Sequence, residues 1–175
     1  MFNQKMSNYP GGFTNGVLVR GMPVHQMHPG RVFWVSNAAA AQLAGQRTGS
    51  DGNDGSFNAP FSTIDYAVGR CTASRGDIIM VKPGYTQTIS AAAGIVLDVA
   101  GIAIIGLGVG SLRPTITLDT ATTASITVTA ANISVQNMMF VANFADVATC
   151  FDVGAAADFT VEYCEFRDTS SILNF

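Results

Sequence analysis

Two stretches of this chain, residues 132–140 and 158–166, can be laid over each other without a gap. Ile133 then falls on Phe159, Val135 on Val161, Asn137 on Tyr163, Met138 on Cys164 and Phe140 on Phe166. Because side chains alternate between the two faces of a strand, this coincidence keeps each inward residue above another inward residue. Parallel strands stacked about 4.8 Å apart require that arrangement. The recurrence reaches upstream: Ile102 to Ile133 is a step of 31 residues, Ile133 to Phe159 one of 26 and Ile126 to Phe151 one of 25. Short strand-like runs at 77–81, 85–89, 94–99, 101–106, 114–118, 124–128, 132–137, 149–153 and 158–166 follow one another with no helical spacer. The pattern predicts a solenoid.

Composition agrees with an all-β reading. Lysine and glutamate, the usual surface residues of helical proteins, are reduced to Lys5, Lys82, Glu162 and Glu165, which argues against bundles and coiled coils. Charged residues make up 12% of the chain where about 25% is typical, yet 48% are hydrophobic, so disorder throughout is excluded. At 175 residues the chain is long enough for one sizeable core and an arm. Cys71, Cys150 and Cys164 form no C-x-x-C pair and lie far from His25 and His28, so no zinc spacing exists and the thiols are expected to be reduced core residues. The polar start offers no signal-peptide core. The apolar stretch 91–110 carries Asp98 at its centre and five glycines, and no membrane span is expected there.

The net charge of −3 hides an asymmetry. Residues 1–50 hold Lys5, Arg20, Arg31 and Arg47 and no acid; from residue 83 onward eight acids face only Arg113 and Arg167. The positive residues are too scattered to follow a phosphate backbone, so no nucleic-acid partner is expected, and docking onto another protein is favoured.

Three regions are expected. Residues 1–36 read as an extended arm, because Pro10, Pro23 and Pro29 with several glycines leave no room for a helix. Its strand-like runs, 16–20 and 31–35, cannot bury much against themselves, which marks Phe13, Val17, Leu18, Arg20, Met22, Met27, Arg31, Phe33 and Trp34 as candidate interface residues. Residues 37–60 read as a linker and turn-rich loop. There Asp51, Asn53 and Asp54 invite a calcium site, but an EF-hand counted from Asp51 would need Gly and Glu where Ser56 and Ser62 stand, so an Asx-type turn is expected. Residues 61–175 read as a short capping helix and the coil. Phe61, Ile64, Ala67 and Val68 share a helical face, with Ser62 as the expected N-cap and Gly69 as the stop. The apolar end 172–175 leaves the last coil to be shielded by other subunits or by further protein.

The run Gly52-Asn53-Asp54-Gly55-Ser56, then 59–68, then Gly76-Asp77 through Tyr85, resembles the opening of right-handed parallel β-helices of the pectate-lyase-like superfold. The resemblance implies that the helix caps the open end of the coil and that the strand after Gly76-Asp77 begins the first rung. The arm, with 15–23 and 29–35, is similar to the N-terminal segment of tailed-phage virion proteins. That likeness implies a homotrimer attached to capsid or tail.

Fold alone does not fix activity, since β-helices serve as lyases, hydrolases, adhesins and spacers. A pectate-lyase mechanism needs clustered acids for calcium and an Arg or Lys base, for which only Lys82, Arg113 and Arg167 are at hand. Asp152 and Glu162 could share an outer face as a glycosidase-like pair, but outward carboxylates on a solenoid usually serve solvation. His25 and His28 lack an accompanying carboxylate, so no metal, no cofactor and no catalytic site is expected. The expectation is a virion structural protein made in the host cytoplasm, a capsid-decoration or head-fibre protein held to the major capsid protein or another virion protein by its arm. The alternative is a tailspike or tail-fibre-type receptor-binding protein, glycan-cleaving or not, acting on host surface polysaccharide.

Overall fold

The computed structural model describes residues 30–37 and 45–169, together with the backbone of 18–19 and 22–23. Among these residues fourteen strands and one α-helix follow in chain order: β1 (Leu18–Val19), β2 (Met22–Pro23), β3 (Val32–Val35), α1 (Ile64–Arg70), β4 (Ile78–Val81), β5 (Thr86–Ile89), β6 (Ile95–Leu97), β7 (Ala103–Gly106), β8 (Thr115–Leu118), β9 (Ile126–Val128), β10 (Ile133–Gln136), β11 (Met139–Ala142), β12 (Phe151–Val153), β13 (Phe159–Glu162) and β14 (Glu165–Asp168). Apart from the antiparallel pair β1–β2, these strands form three parallel sheets, ordered β13-β10-β7-β4-β3, β14-β11-β8-β5 and β12-β9-β6. Consecutive strands pass from sheet to sheet and each returns beside the one a full coil earlier, giving a right-handed parallel β-helix.

The register is the one the sequence overlay predicts. Ile133 pairs with Phe159 and Val135 with Val161 in the first sheet, and Phe140 with Phe166 in the second. Alternation then fills the interior: Ile79, Ile104 and Val135 stack in the first sheet, Ile116 and Phe140 in the second, Ile95 and Ile126 in the third, all buried. A fully covered aromatic such as Phe140 contributes about 2–3 kcal/mol. The stretch 91–110 holds β6 and β7 rather than a helix, and no helix among the described residues is long and apolar enough to cross a membrane.

The turns repeat as faithfully as the strands. Gly76, Gly101, Asn132 and Asp158 each stand two residues before the paired positions Ile78, Ala103, Ser134 and Thr160, and all have left-handed backbone, with φ of 77°, 72°, 57° and 57°. Glycine, asparagine and aspartate tolerate that region best. At Gly106 the constraint is space, because a Cβ there would lie 2.3 Å from the Asn137 carbonyl oxygen of the next coil.

The N-terminal end is closed. Helix α1 packs on β3, β4 and β6, burying Ile64, Ala67 and Val68. Its N-cap is Thr63 rather than Ser62, with the Thr63 hydroxyl accepting from the Tyr66 amide. The displacement has a cause in Asp51, whose Oδ1 accepts from the Ser62 and Thr63 amides and whose Oδ2 accepts from the Thr63 hydroxyl, at 2.9, 3.1 and 3.0 Å. The helix also runs through Gly69 to Arg70, the Cys71 amide closing it onto Val68 O. Outside β3, the amides of Trp34 and Ser36 donate to Gly55 O and Phe61 O, and the Phe61 amide returns to Trp34 O. The loop therefore seals the outer edge of the first coil.

Candidate functional site

The arm residues divide into three groups. Phe13, Val17, Arg20 and Met27 lie outside the described residues, as do His25 and His28 and the run 38–43. Leu18 and Met22 fall in the β1–β2 pair, whose register sets Leu18 against Pro23 and Val19 against Met22. Arg31, Phe33 and Trp34 belong to the coil, a correction to an arm drawn as far as residue 36. Strand β3 pairs in parallel with β4, Val32 against Ile78 and Val35 against Val81, so these residues build the first rung. Phe33 faces inward, buried, with its ring 5.8 Å from that of Phe61. Trp34 faces outward and meets Phe57 edge-on at 4.8 Å. The Arg31 amide donates to Asp77 Oδ1 at 2.6 Å.

Asp77 is the most heavily bonded side chain of the coil. Its buried carboxylate also accepts from the Thr72 amide at 2.7 Å and from Arg75 Nε and Nη2 at 2.8 and 2.7 Å. Burial works to raise its pKa, but the bonds from Arg75, Thr72 and Arg31 outweigh it and hold the carboxyl below its usual value. Asp51 is treated likewise: burial opposes ionisation, and the bonds from Ser62 and Thr63 override it. The acids of the loop at 51–54 are thus occupied with backbone amides, Asp54 accepting from the Ser56 amide, as an Asx-type turn requires. Among the described residues no group of three or more His, Cys, Asp or Glu is placed to hold a metal ion.

The three cations considered as bases sit in different places. Lys82 is buried and donates through Nζ to Phe57 O at 2.7 Å and Gln46 Oε1 at 3.2 Å, with the Phe57 ring centroid 4.3 Å away. Burial lowers its pKa. Arg113 and Arg167 both pair with Glu165, Arg113 Nη1 at 3.1 Å. Of the outward acids, Glu162 and Asp119 are tied into ladders between coils, Gln136 donating to Glu162 at 3.1 Å and Asn143 bridging Asp119 at 3.0 Å and the Thr169 hydroxyl at 2.8 Å, while Asp152 on β12 stands in a different sheet from Glu162 on β13. These side chains brace neighbouring rungs and do not converge on one point. The space inside the coil is lined by apolar side chains such as Ile95, Ile104, Ile126 and Phe140, with nothing to orient a polar substrate. Cys71, Cys150 and Cys164 are half-buried free thiols, and burial pushes the first two up to about 12.

The outward faces differ in chemistry. In the first three rungs of the first sheet the outward positions are Val32, Trp34, Ile78, Met80, Ala103 and Ile105, an uncharged apolar flank. In the first two rungs of the second sheet they are Thr86, Thr88, Thr115 and Thr117. Apolar flanks were expected from the sparse charge, but which sheet carries one was not legible in the sequence. Both faces of β3, β4 and β7 are apolar, so periodicity alone could not separate inside from outside. Compared with protein-family models, with curated proteins and with solved structures, the chain matches none.

Proposed function

We propose that the chain is a structural protein of a tailed-bacteriophage virion, a capsid-decoration or head-fibre protein. In this reading the N-terminal arm docks on the major capsid protein or another virion protein while the β-helix projects outward as a homotrimer. The observation that carries the reading is the employment of the coil's polar side chains: Asp77, Asn143 and Asn137 are spent on holding rung to rung, and Asp51 on fixing the loop to the start of α1. Such a body supplies length and stiffness. The arm supplies attachment, residues 1–29 carrying Lys5 and Arg20 with no acid and being rich in apolar residues. The apolar flank of the first sheet supplies the contact on which three copies would close.

The test is deletion of residues 1–29, which leaves β3 and the first rung intact. The truncated protein is expected to keep its β-rich circular dichroism and to lose attachment to virions; a truncated protein that still decorates particles overturns the arm's role. Light scattering is expected to return a trimer, and a monomer would remove the assembly from the reading.

A second reading, recognition of host surface polysaccharide, is favoured by the exposed Asp119–Asn143–Thr169 ladder, whose carboxylate, amide and hydroxyl match sugar hydroxyls. Release of reducing ends or unsaturated sugars from host polysaccharide would establish that reading against the structural one.

A further inference from the structure

Among the described residues, the large hydrophobic side chains most open to water stand at one corner of the column. They are Tyr163, Val109 and Leu112, with 82%, 78% and 55% exposure. The corner is the passage from the first sheet to the second. Beside β10 and β13 the chain turns it in two residues, Asn137–Met138 and Tyr163–Cys164, but between β7 and β8 it spends the eight residues 107–114. This longer loop is held from both sides. From the coil beneath, Val81 O accepts from the Leu107 amide at 2.9 Å and the Gly84 amide donates to Leu112 O at 2.8 Å. From the coil above, Asn137 Nδ2 donates to Gly106 O and Gly108 O. Within it a single 3-10 turn, Gly110–Leu112, is closed by the Leu112 and Arg113 amides on Val109 O and Gly110 O, both at 3.1 Å. Gly108 makes the bend, with φ 102° and no room for a Cβ, which would lie 2.5 Å from Leu112 O. A loop this firmly held presents two aliphatic side chains that its own chain leaves in water, and preorganised apolar projections of that kind serve as interface anchors.

Such a knob needs a surface that is apolar and uncharged at the height where it projects. The first sheet supplies one. Its outward positions on β4 and β7 are Ile78, Met80, Ala103 and Ile105, whereas on β10 and β13 they are Ser134, Gln136, Thr160 and Glu162. The knob springs from the end of β7. When two copies stand side by side with axes parallel and rungs level, Val109 and Leu112 of one therefore meet the apolar part of the other's sheet and not its polar part. Tyr163, two coils further on, meets the polar part, which suits its hydroxyl. Pairing two flanks face to face would leave both knobs in water. Knob on flank joins two different surfaces, a heterologous contact, and such contacts close into rings.

We propose that the corner loop 107–113 is the key of the contact between copies, Val109 and Leu112 of one copy seating on the first-sheet flank of the next, against Met80 and Ile105. The inference rests on the homotrimer of the reading above and names the two surfaces that close it.

The experiment is analytical ultracentrifugation of the full chain over a concentration series. The unmodified chain is expected to sediment as a trimer. Leu112→Glu and Ile105→Lys should each weaken association at least roughly a hundredfold, since each sets a lone charge in an apolar contact. Both positions face outward, so circular dichroism and the melting temperature of the separated chains should stay as they were. Combined in one chain, the two changes face each other with opposite charge and should recover most of the lost association. Deletion of residues 1–29 should leave association intact, because loop and flank both belong to the coil. An assembly unchanged by Val109→Glu with Leu112→Glu, a combined variant no better than the single ones, or a monomer on deletion of 1–29 overturns this contact and leaves the trimer standing. A monomeric unmodified chain overturns the trimer itself and the contact with it. Binding of the unmodified chain to phosphatidylcholine vesicles, lost in Leu112→Glu, also overturns the contact, because the loop would then serve a lipid surface.

Discussion

At Asn137 the chain passes from β10 to β11 through left-handed backbone, φ 53°, and the side chain is used at the same time. Its Nδ2 donates to Gly106 O at 2.8 Å and to Gly108 O at 3.0 Å, tying one coil to the one beneath. Replacement by alanine imposes left-handed strain and orphans two carbonyls, so Asn137→Ala is expected to lose about 2–3 kcal/mol in urea unfolding. Asn137→Gly should recover the backbone share and leave the hydrogen-bond share lost. Equal stability of the two variants would show that only the bonds matter. One coil later Tyr163 repeats the conformation at φ 53°, and the residue is 82% exposed. The overlay of Asn137 on Tyr163 was legible in the sequence. That the shared property is backbone handedness was not, because tyrosine carries no preference for it.

Among the elements, β3 shows where sequence reading stops. Its own pattern is strand-like, but its partner β4 lies across a loop of irregular composition, and pairing at that separation leaves no periodic trace. Asp77 supplies the link that the pattern lacks, joining the start of β3, the segment after α1 and the start of β4 through one carboxylate. The helix start was misplaced by one residue for a similar reason, since Asp51 reaches back to it from outside the local motif. Most strands from β4 onward were readable because each repeats the one a coil earlier, but β11 was not read as a strand and the run 158–166, read as one, is broken at Tyr163 into β13 and β14 of different sheets. Since the pKa values of Asp77 and Asp51 are lower in the folded than in the unfolded chain, their contribution to stability is complete above about pH 5. It fades as pH drops from the unfolded value of about 4 through the folded ones. The melting temperature is expected to hold from neutral pH to about 5 and to fall steeply below 4. Asp77→Asn should be less stable at pH 7 and show a shallower acid slope, and a parallel loss at every pH would place the effect elsewhere.

For the whole molecule, stability is a sum over coils and the contacts between neighbours. The interior coils have neighbours above and below, the first coil has α1 and its sealing loop, and the last has one described neighbour. Amide hydrogen exchange should therefore be slowest in β4, β7 and β10 and fastest in β12, β13 and β14. Uniform protection along the column would indicate that the far end is covered in solution. The polar ladders fit this view, since Asp119, Asn143 and Thr169 or Gln136 and Glu162 stiffen the shaft without gathering into a pocket. The finished first coil has a further consequence. A column stoppered at its foot cannot take another strand on β3 without first displacing residues 55–61, so that end is barred from strand-on-strand stacking of one copy upon another.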